Sequence, residues 1–261
     1  MKVAYLINTT PKYFFLLPLH LELIKRYCAV IPFDIWLATE EPQHPIVQSL
    51  TDIKVIELTK DEKGFLASRA AALKKLPARY EMVLPMQEDF LLERTPNFEF
   101  VLESFEILRD DIKVDSIRWM PCPGPAEKDP LWSPKIPQWK ILQPDNNEYM
   151  FCFQATLWRR SALQTWFTRL VAQFDLDYPA MISEEERRML EIRANYAENR
   201  KGQAYFREWM TGTHLAWVRS HKAPNAVYMS PWPYRPTAVV GGKLETWAIE
   251  MAKREGFTIS Q

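Results

Sequence analysis

The first 90 residues repeat one alternation: a short apolar run, a polar break, then a longer segment whose apolar positions recur every three or four residues. Residues 3–7 (VAYLI) form an unbroken apolar run closed by Asn8-Thr9-Thr10-Pro11, the pattern of a buried strand followed by a helix entry. Residues 13–27 carry Leu16, Leu19 and Leu23 at helical spacing, with Pro18 placed either to kink the helix or to set its start. Residues 33–38 (FDIWLA) and 53–58 (IKVIEL) predict two more strands, and residues 64–76 a helix. Residues 81–85 (EMVLP) predict a fourth strand running into Gln87-Glu88-Asp89-Phe90. This order predicts an α/β fold with a mostly parallel central sheet flanked by helices. Ligands in such sheets sit beyond the carboxyl ends of the strands, so residues 8–11 and 87–90 are expected on one rim.

Beyond residue 90 the pattern loosens. Residues 97–108 predict a helix with Pro96 near its start, and residues 114–120 (VDSIRWM) a fifth strand. Residues 121–147 are rich in proline, tryptophan and charge and lack periodicity, which predicts a long loop that is functional or mobile. Residues 149–157 (YMFCFQATL) predict a strand, and residues 161–174 a helix with Ser161 as N-cap. Residues 183–210 read as one or two helices opened by the capping box Ser183-Glu184-Glu185-Glu186, which gives a helical C-terminal part. A strand at 226–229, the segment 231–243 (PWPYRPTAVVGGK) and a short helix follow. Neither a repeat nor a linker divides the chain, so a single domain is expected over residues 1–261.

Composition removes several functional classes. Hydrophobic residues make up 47% and charged residues 25%, which fits a folded core rather than disorder. The 33 basic residues balance the 33 acidic ones, so no overall field draws the chain onto nucleic acid. Twenty prolines stand against 7 glycines, which leaves little room for glycine-rich phosphate loops. The 10 tryptophans offer planes on which sugar C–H faces stack, although core packing accounts for most tryptophans in any chain. Cys28, Cys122 and Cys152 have neither the number nor the spacing of a disulfide framework or a zinc site. No basic leader and no apolar stretch of roughly 20 residues is present, so a soluble cytoplasmic protein is expected, touching a membrane peripherally at most. P-loop, G-x-G-x-x-G, G-x-S-x-G, H-E-x-x-H and paired C-x-x-C motifs are absent.

The sharpest chemical signal is the acidic pair after the fourth strand. Adjacent carboxylates there repel each other and resist desolvation unless something positive faces them. A divalent cation carrying a diphosphate meets that need, because magnesium or manganese takes one or two protein carboxylates and fills its shell with substrate phosphates. The alternative is a polar turn paired with Arg94 or a helix N-terminus.

An acidic dipeptide in this position, with elements in this order, resembles the GT-A glycosyltransferases, whose D-x-D or E-D motif holds a metal and the donor's phosphates or ribose. Residues 84–92 (LPMQEDFLL) look like the E-D-F variant of that motif. Residues 151–160 (FCFQATLWRR) resemble the acceptor-side strand and helix of such enzymes, and the likeness spans roughly residues 1 to 210. The resemblance implies a Rossmann-like GT-A fold. It also implies transfer of a hexose or pentose from a nucleotide-diphosphate-sugar donor to a hydroxyl of a carbohydrate or glycoconjugate. Residues 1–120 would bind the donor, and residues 121–261 would supply the acceptor side and the tail. Asp89 would be the catalytic metal or diphosphate ligand, Glu88 would bind the metal or the ribose, and Mn2+ or Mg2+ would be the cofactor. Asn8, Thr9 and Thr10 would cup the nucleotide base, while Gln154 and Trp158 would face the acceptor.

A transfer that inverts the anomeric centre needs a base for the acceptor hydroxyl. Glu208, set among Tyr205, Phe206, Trp209 and Met210, is a carboxylate on an apolar helical segment where its pKa would rise. Glu184, Glu185 and Glu186 also qualify, but helix capping explains them. Arg235 and Lys243 flank residues 237–242 (TAVVGG), a tail that either closes over the donor and stabilises the leaving diphosphate or forms an ordinary surface turn. His214 and His221 are metal ligands or structural, and Arg159 and Arg160 reach a ligand or simply start a helix. Two alternatives stand beside the transferase. A sugar-1-phosphate nucleotidyltransferase normally carries a glycine-rich loop after its first strand, which residues 8–13 lack. A non-catalytic carbohydrate-binding protein suits the tryptophans but not the acidic pair.

Overall fold

The structure, a computed structural model, describes residues 2–30, 33–62, 64–112, 114–119, 131–133, 136–142, 155–177, 214–218, 232–235 and 237–259. In chain order the strands of the main sheet are β1 (Lys2–Asn8), β2 (Phe33–Thr39), β3 (Lys54–Glu57), β4 (Tyr80–Met86), β6 (Val114–Arg118), β7 (Leu131–Ser133), β8 (Ile136–Leu142), β9 (Thr156–Arg159) and β10 (His214–Val218), with the short β5 (Leu91–Leu92) lying outside it. Among the described residues they form a nine-stranded sheet in the order β3-β2-β1-β4-β9-β6-β10-β8-β7. The first four in that order run parallel. Strand β9 then enters antiparallel to both β4 and β6. The expected α/β fold with its parallel half is present.

Helices cover both faces. A 3-10 helix (Pro11–Leu16) runs straight into α1 (Leu17–Tyr27); α2 (Pro45–Ser49), α3 (Phe65–Lys75), α4 (Phe98–Asp110) and α5 (Arg160–Asp177) follow. Along β1, Val3, Tyr5 and Ile7 enter one core with α1 and α4, while Ala4 and Leu6 enter a second core with α3 and α5. Burial on both faces is why β1 reads as continuous rather than alternating apolar sequence. Each large side chain closed off in this way contributes about 1.5–3 kcal/mol relative to exposure. Pro18 occupies the first turn of α1, where its missing N–H costs nothing, so it sets the helix start and does not kink it.

The two adjacent arginines at the β9–α5 junction serve helix ends rather than a ligand. Arg160 donates to the carbonyls of Leu73 (3.0 Å) and Pro77 (2.7 Å) and to that of Leu76, closing the C-terminus of α3. Arg159 does the same for Leu108 and Asp111 at the end of α4. A guanidinium suits this position because it satisfies orphan carbonyls and opposes the helix dipole.

The last described segment returns to the start of the chain. Strand β11 (Tyr234–Arg235) pairs antiparallel with β5, and β12 (Val239–Val240) pairs with β13 (Lys243–Leu244) across Gly241-Gly242. Both glycines have positive φ (56° and 79°), the requirement of a two-residue turn whose twist matches its strands. Helix α6 (Thr246–Arg254) then buries Ala248, Met251 and Ala252 in the core shared with α1, and Glu255 pairs with Arg26 of α1. No helix among the described residues is long and apolar enough to cross a membrane.

The strand expected over 149–157 is described as β9 only from Thr156, running on to Arg159, and three other strands of the main sheet depart from the sequence expectation. Strands β7 and β8 occupy part of the aperiodic stretch 121–147, and β10 occupies a stretch without any strand signal. Strands β7 and β8 pair antiparallel with each other, while β8 also pairs with β10 and β10 lies parallel to β6, so the pair joins the sheet through a strand far along the chain. The helices expected over 183–210 and the strand over 226–229 lie outside the described residues, as do Gln154, Glu184, Glu185, Glu186, Glu208 and His221.

Candidate active site

Register places the acidic turn beside the end of β1. Ile7 pairs with Met86, so Asn8–Thr10 and Gln87–Asp89 leave the sheet side by side at its carboxyl rim. A hydrogen bond from the Phe90 N–H to the Gln87 carbonyl (3.2 Å) closes the turn.

Each acidic residue is then held through its own carbonyl by a distant group. The Glu88 carbonyl lies 3.2 Å from Nδ1 of His20, on α1. A carbonyl oxygen only accepts, so Nδ1 carries the hydrogen and Nε2 accepts from the Tyr5 hydroxyl at 2.8 Å. Burial keeps this imidazole neutral, pushing its pKa down to about 4. On the other side, the Ala238 N–H donates to the Asp89 carbonyl at 3.0 Å. The Val239 N–H and Asp89's own N–H hydrogen-bond to the Asp89 carboxyl group.

The carboxyl groups themselves are strained electrostatically. Glu88 is 6% exposed, and its pKa is pushed up to about 8, first by burial and then by the neighbouring Asp89 charge. Asp89 is raised to about 6 by burial. Hydrogen bonds from Thr9 and the Glu88 N–H, together with the charge of Arg69 on α3, only partly offset these costs. Asp89 Oδ1 is buried without a hydrogen-bond partner. A buried acceptor left unmatched in such a turn is free to bond an ion or a water.

The other expected residues divide. Asn8 is buried, and its amide donates to the Ser68 carbonyl at 3.4 Å. Thr9 is buried too, and its N–H bonds the Ala38 carbonyl at 3.2 Å. Thr10 is exposed at the entrance of the 3-10 helix. The guanidinium of Arg235 stacks 4.6 Å from the Trp247 ring centre and lies 3.9 Å from Glu93. Lys243 is exposed beside the turn of the hairpin. Trp158, expected at the acceptor, is instead 2% exposed in the core beside α3 and α5, paired in register with Val83 and Ser116. A side chain enclosed in this way has no face to offer an acceptor. His214 stands in β10, paired in register with Val114.

Three residues of the rim carried no signal as site residues in the sequence. His20 is masked by the leucine spacing of its helix, and Arg69 by the alanine- and lysine-rich helix that holds it. Lys12 lies close enough to the hairpin turn that a Cβ on Gly242 would sit 3.4 Å from its Nζ. Among the described residues no group of three or more His, Cys, Asp or Glu could hold a metal ion unaided. Two adjacent carboxyls do fit a cation whose remaining ligands come from a diphosphate.

No protein-family model matches the chain, and no curated protein matches it. Among solved structures it is similar to TarS residues 1–349 of S. aureus, with 13% identity over 85% of this chain and 59% of that one and a TM-score of 0.45. It is also similar to CMP:2-keto-3-deoxy-manno-octonic acid synthetase complexed with CTP (14% identity, 84% of this chain and 89% of that one, TM-score 0.43). A third similar structure is 4-diphosphocytidyl-2C-methyl-D-erythritol synthase from Anaerococcus prevotii (12% identity, 74% and 84%, TM-score 0.40). Likeness at this level concerns the path of the chain and assigns no activity.

Proposed function

We propose that the chain is a GT-A-like glycosyltransferase that moves a sugar from a nucleotide-diphosphate sugar to an acceptor hydroxyl. In this reading the Glu88–Asp89 turn handles the diphosphate. The observation that carries it is the buried, unpartnered Asp89 Oδ1 beside a second buried carboxyl at the carboxyl rim of a parallel sheet. Asp89 and Glu88 would hold Mg2+ or Mn2+, which when bound neutralises charge growing on the departing diphosphate. Arg69 adds positive charge to the same turn. Asn8 to Thr10 border the place for the nucleotide, and Lys12 and Lys243 lie beside the turn of the hairpin that joins the rim. Residues 1–120 act as the donor half and the later residues as the acceptor half, with Gln154 facing the acceptor and Glu208 taking its proton.

The test is a thermal shift with nucleoside diphosphates and triphosphates, each with and without manganese. A ligand that binds only the folded state raises Tm by mass action. A manganese-dependent shift with one diphosphate, absent in Asp89→Ala, is the expected result. Preference for a triphosphate would assign sugar-1-phosphate nucleotidyl transfer instead, and indifference to all nucleotides would overturn the reading.

A further inference from the structure

We propose that His20 is the positioning residue of the acidic turn: its imidazole, anchored on Tyr5, fixes the peptide joining Glu88 to Asp89 so that both carboxyls address one bound ligand. This rests on the reading of the turn as the diphosphate site.

His20 lies on the buried face of α1 with Leu17, Leu19, Leu23 and Ile24. Burying an imidazole there is costly unless both ring nitrogens are bonded, and here both are. The hydrogen bond that closes the turn, from Phe90 to Gln87, leaves the Glu88 carbonyl free to rotate with its peptide plane. His20 removes that freedom from one side while Ala238 holds the next carbonyl from the other. The direction of the chain is set by its ends: the Tyr5 O–H donates to Nε2, and Nδ1–H donates to the carbonyl. Tyr5 is itself enclosed in the core on strand β1, between β2 and β4, at 0% exposure. The orientation of the acidic turn is thus referred to a strand buried on both faces. Groups that orient ligating side chains in this way commonly matter as much as 10- to 100-fold in affinity or rate.

The experiment compares His20→Leu, His20→Asn, His20→Gln and Tyr5→Phe for manganese-dependent diphosphate binding and for kcat and KM in sugar transfer. The Asn amide occupies the place of Nδ1, whereas the Gln amide reaches toward that of Nε2. Expected are folded variants in which Leu and Gln lower kcat by about 10- to 100-fold, Asn restores most of that loss and Tyr5→Phe falls between. Wild-type turnover in folded His20→Leu overturns the proposal, as does Asn performing no better than Gln. Should Leu fail to fold, the Asn and Gln pair decides alone. Wild-type protein that binds no nucleotide diphosphate overturns the functional reading itself, and that result is separate from any difference among the variants.

Discussion

The backbone N–H of Ala238 donates to the carbonyl of Asp89 over 3.0 Å, tying the final folded segment of the chain to the turn after its fourth strand. The neighbouring Val239 N–H reaches the Asp89 carboxyl group. Strand β11 supports both contacts by pairing with β5, immediately after the acidic turn. The acidic residue is therefore held through its main chain and its side chain by the same hairpin, and whatever disturbs the hairpin disturbs the site.

Gly242→Ala tests that coupling. At φ 79° an L side chain is strained by about 1–2 kcal/mol, while the added Cβ meets Lys12 Nζ only at ordinary contact distance, 3.4 Å. The expected outcome is a loss of about 1 kcal/mol in a denaturant titration. Donor KM should rise severalfold and kcat change little. An unchanged KM would separate the hairpin from the donor site.

Asp89→Ala removes the unpartnered oxygen and the charge that raises Glu88. Transfer should fall by about 100-fold or more, the upper end of what disturbing a ligand shell costs. Stability should change by no more than about 1–2 kcal/mol, because relief of the unpartnered oxygen and of the charge beside Glu88 opposes the loss of the bonds from the Val239 and Asp89 N–H groups. Turnover and Tm measured on the same preparation check both halves.

Three buried groups at the acidic turn contribute to the pH dependence of stability. Glu88 has a folded pKa of about 8, above that of an ordinary carboxyl group, so the native state binds the extra proton and stability falls as pH rises toward 8. Asp89 acts in the same direction up to about pH 6. His20 acts oppositely: lowered to about 4, it costs stability as pH drops below 6.5. Between pH 6.5 and 8 Glu88 acts alone among the three. Tm of the metal-free protein should decline across that window, and Glu88→Gln should flatten the decline. Manganese should stabilise more at pH 8 than at pH 6, since it binds the ionised pair. A Tm that rises with pH in wild type but not in Glu88→Gln would refute the assignment.

What the sequence makes legible depends on how local the cause is. Strand β1 is readable because both of its faces are buried and its apolar run is unbroken, and the same holds for β4 up to the acidic pair. Adjacent carboxylates at a strand end are visible because their cost is local. Strand β10 is not, since it exists through pairing with β6 and β8, both far away in the chain. His20 hides inside a leucine-spaced helix because spacing reports burial and cannot report a hydrogen bond to residue 88. The arginines of the β9–α5 junction look like a charged helix start until α3 and α4 are seen to end beside them.

Arg160→Met is expected to destabilise without touching donor recognition. Its guanidinium serves the carbonyls of Leu73, Leu76 and Pro77 from a half-buried position, and methionine keeps the stem while leaving those acceptors orphaned. Charged hydrogen bonds of this kind are worth about 1.5–3 kcal/mol, reduced here by partial solvent access. A shift of about 1–3 kcal/mol in denaturant unfolding, with donor KM unchanged, is the expected pair of readings. A raised donor KM would restore a ligand role to this residue.

Trp158→Phe distinguishes a core tryptophan from an acceptor platform. The indole is enclosed among Leu163, Trp166, Phe167 and the residues of α3, so trimming it to a phenyl ring leaves a cavity beside the β4–β9 pairing. Large-to-small changes of this size cost about 1–3 kcal/mol, the spread reflecting how far neighbours relax into the space. The loss should show in denaturant unfolding. A platform residue would behave differently: acceptor KM would rise while stability stayed level, because a stacking face at the surface contributes to binding and little to folding. With 2% exposure the first pattern is expected. The ratio of the two effects in a single variant therefore decides whether the acceptor must be sought elsewhere on the rim.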